Sequence, residues 1–248
     1  MNNFEANKLL DIIHHRPTWQ VPGERWVWYQ EWNRALFFHW KVDPEILKSF
    51  IPEGIQLDVY NNTAWVSLVA FTMEKIRPRY LPSVSLISDF HEINLRTYVT
   101  DGEHHGVYFL SIEAQKQLSA ILSRRLSGLP YEKASIQRKS GYLSAYDADN
   151  SQTGNYLKVD YRMEEQPKTK TELDRWLTER YYLYLEKGNR LYRYAIHHKE
   201  WNLFNLKTAN LHLSYNIGAL SLSAENIEMV HYSDGVNVIA WQQGMINR

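Results

Sequence analysis

The chain has 248 residues, with 28 basic and 28 acidic side chains, 10 histidines and no cysteine. Charge parity argues against a nucleic-acid protein, which normally carries a basic excess, and the lack of cysteine removes disulfides, thiol nucleophiles, Cys-ligated zinc and iron–sulfur clusters. The opening segment MNNFEANKLLDIIHH is too polar and too acidic for a signal peptide, and no apolar run approaches the roughly 18 residues of a membrane span. These features point to a cytoplasmic protein with neither nucleic acid nor membrane as partner; a homo-oligomer is allowed but not required. The aromatic share is high, 14% from 9 Trp, 17 Tyr and 8 Phe. Large rings favour strands and either fill cores or line apolar pockets.

In chain order, Phe4 to His15 has helical spacing at Leu9, Ile12 and Ile13 and ends before Pro17. Trp26 to Trp40 is aromatic and β-rich, predicting one long strand or two short ones. Asp43-Pro44 is an N-cap followed by proline at the first helical position, opening a short helix through Phe50. Ile55 to Tyr60 and Thr63 to Ile76 predict a hairpin about Asn61-Asn62, since asparagine tolerates positive φ. Arg77 to Pro82 predicts a loop. A second hairpin joins Phe90–Val99 to Gly106–Ile112 about Asp101-Gly102. Ala114 to Leu126 has helical spacing closed by Gly128. Two strands follow, with Asp147 to Gly154 as their turn. Thr171 to Arg180 predicts a helix with a capping box from Thr171 and Asp174. Tyr181–Leu185 and Arg190–Ile196 flank Lys187-Gly188-Asn189, and Ile227–Tyr232 and Val236–Trp241 flank Ser233-Asp234-Gly235. Hairpins imply antiparallel pairing, and many antiparallel strands usually close to avoid exposed edges. The prediction is one α+β domain over residues 1–248, mostly an antiparallel β-barrel or cone with a few peripheral helices, and residues 1–25 a peripheral segment.

No Rossmann fingerprint, Walker A loop, HExxH, EF-hand loop or GxSxG elbow occurs. Three histidine doublets, His14-His15, His104-His105 and His197-His198, suit surface positions better than metal ligation, because neighbours on a strand point to opposite faces. The best metal candidate, Asp89 to Glu92 with a distant His39, is weak, so no metal and no cofactor are expected. In Phe90 to Val99, Glu92, Asn94, Arg96 and Tyr98 share one strand face and Ile93, Leu95, Thr97 and Val99 the other. The polar face either meets solvent, which spacing alone favours, or lines a polar cavity, and buried charge of that kind is often functional. Arg124 to Lys133 leaves a helix through Gly128 and Pro130, with Tyr131 and Lys133 on one face of the extended chain.

Several ordered segments carry a resemblance: Phe38-His39-Trp40-Lys41-Val42-Asp43-Pro44, Ala64 to Phe71, Glu92 to Val99, Gly106 to Ser111 and Leu177 to Tyr184. Together they resemble the YqjF-like family, domain-of-unknown-function family 2071, across roughly Trp28 to Trp241. That family is similar to the acetoacetate-decarboxylase-like superfamily, which implies an antiparallel barrel or cone around a central cavity. The decarboxylases carry a Gly-Phe-Pro-Lys stretch whose lysine forms a Schiff base, with a second lysine beside it lowering its pKa. The matching stretch here is Gly128-Leu129-Pro130-Tyr131, followed by Glu132. A phenol forms no imine, so the resemblance implies the fold without the decarboxylase chemistry. Lys133 lies two strand rises, roughly 6–7 Å, further on and is a poor substitute.

Glu92 resembles the superfamily's cavity glutamate, which moves Glu92, Asn94 and Arg96 to the cavity. The expected function is binding of a small organic molecule, a carboxylate or an aromatic, without Schiff-base chemistry. Arg96 would anchor an anionic group, Glu92, Asn94, Tyr131 and Lys133 would add polar contacts, and Trp40, Trp65 and Phe109 would form apolar wall. One alternative is a lyase- or hydrolase-type enzyme on a small keto or hydroxy acid, with Glu92 as base and Tyr131 as proton donor. Another is a structural or interaction protein with a packed barrel interior.

Overall fold

A computed structural model of the protein describes residues 3–12, 21–115 and 131–246. Helices are short: α1 (Asn3–Asn7), α2 (Pro44–Lys48), α3 (Ser85–Ser88) and α4 (Glu172–Thr178). Strands dominate. The first five are β1 (Trp28–Val42), β2 (Gln56–Leu57), β3 (Ala64–Pro78), β4 (Phe90–Thr100) and β5 (His105–Ala114). The next five are β6 (Tyr131–Lys133), β7 (Ser135–Lys139), β8 (Ser144–Asn150), β9 (Asn155–Pro167) and β10 (Tyr182–Lys187). Then come β11 (Arg190–His198), β12 (Phe204–Ile217), β13 (Leu220–Ser223), β14 (Met229–Ala240) and β15 (Gly244–Ile246). The predicted helix over Ala114–Leu126 lies, beyond Gln115, outside the described residues. So do His14-His15 and the Gly128-Leu129-Pro130 stretch. The N-terminal helix is followed by a 3-10 turn at Lys8–Ile12.

The strands form one sheet in which β11, β10, β5, β4, β3, β1 and β14 are neighbours in that order, and β14 pairs back onto β11. This ring is closed by antiparallel pairs apart from β5–β10, which run parallel. From β14 the sheet continues outward through β12, β9, β8 and β7. Alternation along each strand sends one set of side chains into the ring and the other towards this outer sheet. Leu36, Phe38 and Trp40 of β1, Val66 and Leu68 of β3, and Ile93 and Leu95 of β4 face outward. They pack against Tyr146, Leu157, Leu213 and Tyr215 in the larger core. Ala35, Phe37, Val69, Phe71, Ile196, Trp201, Val236 and Val238 belong to a second, inner core.

Several predicted turns are present. Asn61 and Asn62 have φ of 49° and 62°, and Gly188 and Asn189 φ of 53° and 59°, the left-handed values of tight turns. Asp43 caps α2, accepting from the Glu45 amide, and Thr171 and Asp174 make a reciprocal capping box at α4. Four expectations are corrected. Ser233-Asp234-Gly235 is not a turn, because Met229–Ala240 is one continuous strand along β1. Asp147–Asn150 belongs to β8, so the turn shrinks to the residues after Asn150. The strand before Asn61 pairs with β4 instead of β3; only a Tyr60–Thr63 bridge spans the turn itself. The predicted loop at Arg77 begins later, since β3 runs on to Pro78.

Candidate functional site

The ring encloses a cavity of about 110 Å³ to which all seven of its strands contribute side chains. Two backbone irregularities set which ones. Arg34 of β1 has φ 55° where the pairing with β3 slips by a residue, and Gly235 of the adjacent β14 has φ 132°. Trp28 and Trp32 point inward before the bulge, and Ala35 and Phe37 after it. Lys75, with φ 55°, does the same for β3, so that both Met73 and Ile76 reach the cavity. Bulges re-aim side chains in this way.

The wall is apolar on one side, with Trp32 stacked on Trp201 at 6.3 Å and Phe71 tilted against Trp32 at 5.8 Å. Polar groups gather on β4 and after α4. Glu92, Asn94 and Arg96, all buried, line the cavity in the alternating register expected of them. Asn94 Nδ2 donates to Glu92 Oε1 at 3.2 Å. Arg180, two residues past α4, joins them from the ring's end. Its Nη1 donates to Asp58 Oδ2 at 2.5 Å and its Nε to the Trp176 carbonyl at 2.7 Å. Its guanidinium lies over the Trp176 ring at 4.3 Å and the Tyr98 ring at 4.9 Å.

These groups are only partly paired. Arg96 Nε and Nη2, Arg180 Nη2, Asn94 Oδ1 and Trp32 Nε1 are buried and have no hydrogen-bond partner among the described residues. Most buried polar atoms in a folded protein find one. Burial pulls both guanidinium pKa values below the usual arginine value, opposed at Arg180 by Asp58, yet arginine stays charged in proteins. The cavity therefore presents two cations with free donors beside an aromatic wall, an arrangement suited to a small anion with an apolar body. Burial raises the pKa of Tyr194, also on the wall, to about 12, keeping its phenol protonated. No lysine lines the cavity and no cluster of metal-binding side chains occurs among the described residues.

Of the side chains singled out in the sequence, Glu92, Asn94, Arg96 and Phe109 line the cavity. Trp40 does not: it faces the outer core and its Nε1 donates to the Ser223 carbonyl and Asn226 Oδ1, both at 3.0 Å. Trp65 sits beyond the cavity against Tyr98, Val107 and Leu177. Lys133 is exposed in a separate depression with Gln115 and Gln137. Tyr131 opens β6, its backbone paired with Ile112; its side chain lies outside what is described. Of the doublets expected at the surface, His197-His198 is buried, whereas His105 is exposed and His104 half-buried; His39 is buried as well. Sequence reasoning missed Trp28 and Trp32, whose alternation in WVWYQEW was a usable signal, and Arg180, for which there was none.

The chain matches the DUF2071 family of uncharacterized conserved proteins over residues 29–237. It is 37% identical over 229 residues to the uncharacterized protein YqjF of Bacillus subtilis (strain 168), covering 89% of this chain and 93% of that one. Among solved structures, acetoacetate decarboxylase from Legionella pneumophila superposes with a TM-score of 0.62 at 11% identity, covering 96% of this chain and 95% of that one. An acetoacetate decarboxylase-like enzyme from Sphingomonas wittichii RW1 gives 0.60 at 13% identity, covering 90% and 94%. The enduracididine biosynthesis enzyme MppR, complexed with pyruvate, gives 0.59 at 10% identity, covering 93% and 95%. The ring of strands, the enclosed cavity and these likenesses agree: the chain has an acetoacetate-decarboxylase-like fold and belongs to the DUF2071 family.

Proposed function

We propose that the ring of strands acts as a barrel that holds a small organic anion, a carboxylate with an apolar or aromatic body, without covalent attachment. The observation that carries this reading is the set of unpaired, buried guanidinium nitrogens of Arg96 and Arg180 on the cavity wall. Arg180 is ion-paired with Asp58 through Nη1, but buried donors left without an acceptor are costly, and a carboxylate accepting from those nitrogens offsets the cost with charge-assisted hydrogen bonds. At about 110 Å³ the cavity is smaller than the ~150 Å³ that accepts benzene in an engineered protein, a size that suits a ligand as small as pyruvate. MppR, which shares the fold, was solved with pyruvate, a ligand of the same chemical class. The absence of a lysine from the described wall favours non-covalent binding over imine chemistry.

Trp28, Trp32 and Trp201 on the wall make intrinsic fluorescence a direct readout. Titration with pyruvate and with benzoate is expected to give a saturable change with at least one of them. Arg96→Gln should weaken that binding by about thirtyfold or more, ~2 kcal/mol for lost hydrogen bonds to a charged group. The same substitution should leave the melting temperature unchanged or raise it, since it removes an unpaired buried charge. Unchanged affinity in a folded Arg96→Gln protein would overturn the assignment.

A further inference from the structure

A second feature of the ring interior takes no part in the cavity wall. Tyr98 on β4, Ser67 on β3, His39 on β1 and His231 on β14 are at most 1% exposed and stand in an unbroken hydrogen-bonded line. Tyr98 Oη lies 2.5 Å from Ser67 Oγ, and Ser67 Oγ lies 2.6 Å from His39 Nδ1. His39 Nε2 is 3.1 Å from His231 Nδ1. At the inner end the Tyr98 hydroxyl faces the Arg96 guanidinium of the cavity and contacts the Leu177 carbonyl at 2.9 Å. At the outer end His231 Nε2 meets both Asp174 Oδ1 at 2.9 Å and Lys168 Nζ at 3.1 Å. Lys168 and Asp174 are themselves paired at 2.7 Å, and the Lys168 side chain, 21% exposed, reaches solvent.

The two ends make this line more than a packed polar core. If His231 donates from Nε2 to Asp174, then His39 donates from Nε2 to His231, Ser67 to His39 and Tyr98 to Ser67. If Lys168 donates to His231, every bond reverses and the Tyr98 hydroxyl donates to the Leu177 carbonyl instead. Both directions satisfy every ring nitrogen and hydroxyl, because the line has an acceptor and a donor waiting at its outer end and a spare acceptor at its inner end. A single static arrangement needs only one of each. Burial holds both imidazoles neutral, helped at His39 by His231, Arg96 and Lys168 and at His231 by Lys168, less strongly at His231 because Asp174 opposes. A neutral imidazole carries one donor and one acceptor nitrogen, which is what passing a proton requires.

We propose that Tyr98, Ser67, His39 and His231 form a proton relay between the Arg96 end of the cavity and the Lys168–Asp174 pair. Inward, Lys168 gives a proton to His231 Nε2 and becomes an amine, which solvent reprotonates. His231 Nδ1 passes its proton to His39 Nε2, His39 Nδ1 to Ser67 Oγ, and Ser67 to Tyr98 Oη. Tyr98 releases its own to a carboxylate or enolate oxygen of the anion held at Arg96. One N–H or O–H bond breaks and one forms at each link, and the relay residues end neutral as they began. The destination of the proton rests on the anion-site reading; the relay itself does not. Ser67, His39 and His231 are positioning residues that act through Tyr98, whose hydroxyl stands beside the Arg96 guanidinium and would meet the anion there.

The test needs no ligand. Exchange of the His39 ring N–H with deuterium oxide is followed by nitrogen-15 NMR, with the backbone amides of Phe38 and Ser67 as reporters of local opening. The relay connects His39 to solvent through His231 and Lys168. Lys168→Met and His231→Phe should each slow His39 ring exchange by about tenfold or more, while the reporter amides exchange at the same rate or faster. Lys168→Met, at a partly exposed position, keeps the test valid should His231→Phe fail to fold. A His39 ring proton that exchanges in step with the reporter amides in wild type and variant would overturn the relay, whatever the outcome of the binding titration.

Discussion

His231 shows how one buried side chain ties this fold to pH. Burial and the neighbouring Lys168 charge lower its pKa to about 4, with Asp174 opposing, and His39 is pushed well below 6.5 by burial and by His231. A histidine whose pKa is depressed on folding binds its proton more readily in the unfolded chain. The folded state therefore keeps its full advantage above the unfolded pKa near 6.5 and loses it as pH falls towards 4. For His231 alone the depression corresponds to about 3 kcal/mol across that window. The melting temperature should drop between pH 7.5 and pH 4.5, and His231→Gln should flatten the drop; a slope unchanged in the variant would contradict this assignment. Neither histidine's role was legible in sequence. His39 and His231 are 192 residues apart, and only the β1–β14 pairing brings them together. Glu92, Asn94 and Arg96 were legible as one face because their alternation lies within a single strand. Whether that face met solvent or a cavity depended on strands far away in sequence.

Among the elements, β14 is the instructive misreading. Ser233-Asp234-Gly235 has turn composition, yet the glycine lies inside one continuous strand, paired with Asn33 of β1 beside the bulge that β1 makes against β3. At φ 132°, with a Cβ 2.3 Å from the Trp32 carbonyl oxygen, the position excludes other side chains. Together with Arg34, which follows its partner Asn33, it lets β1 and β14 switch the residues they send inward, so that Trp32 and Phe37, five apart, both point into the ring. Gly235→Ala should cost at least about 2 kcal/mol, a fall of roughly 4–8 °C in melting temperature for a chain of this size. A calorimetric melt within 1 °C of wild type, an order-of-magnitude threshold on the same scale, would show that the bulge tolerates a side chain. Local turn chemistry was readable where the turn was all there was, at Asn61-Asn62 and Gly188-Asn189. It misled where a glycine answered to a partner strand, and it could not say that β2 pairs with β4.

For the molecule as a whole, antiparallel closure followed from the many hairpin signals. The order of the seven ring strands did not, because β5 meets β10 in parallel across a long excursion through β6 to β9 and α4. That excursion supplies β7, β8 and β9, which with the later β12 make the outer sheet against which β1, β3 and β4 bury their other face, leaving the inner face free to carry charge. The same fold in acetoacetate decarboxylase is here lined, among the described residues, by arginine, glutamate, asparagine and tryptophan with no lysine. We propose that such a cavity holds an anion by charge and shape alone.

Reductive trapping tests that claim most directly. The protein is saturated with pyruvate, with occupancy followed by tryptophan fluorescence, then treated with borohydride and weighed intact by mass spectrometry. The expected result is a saturable fluorescence change and an unmodified mass. A stoichiometric adduct that peptide mapping places on a lysine would contradict it and restore imine chemistry to this cavity.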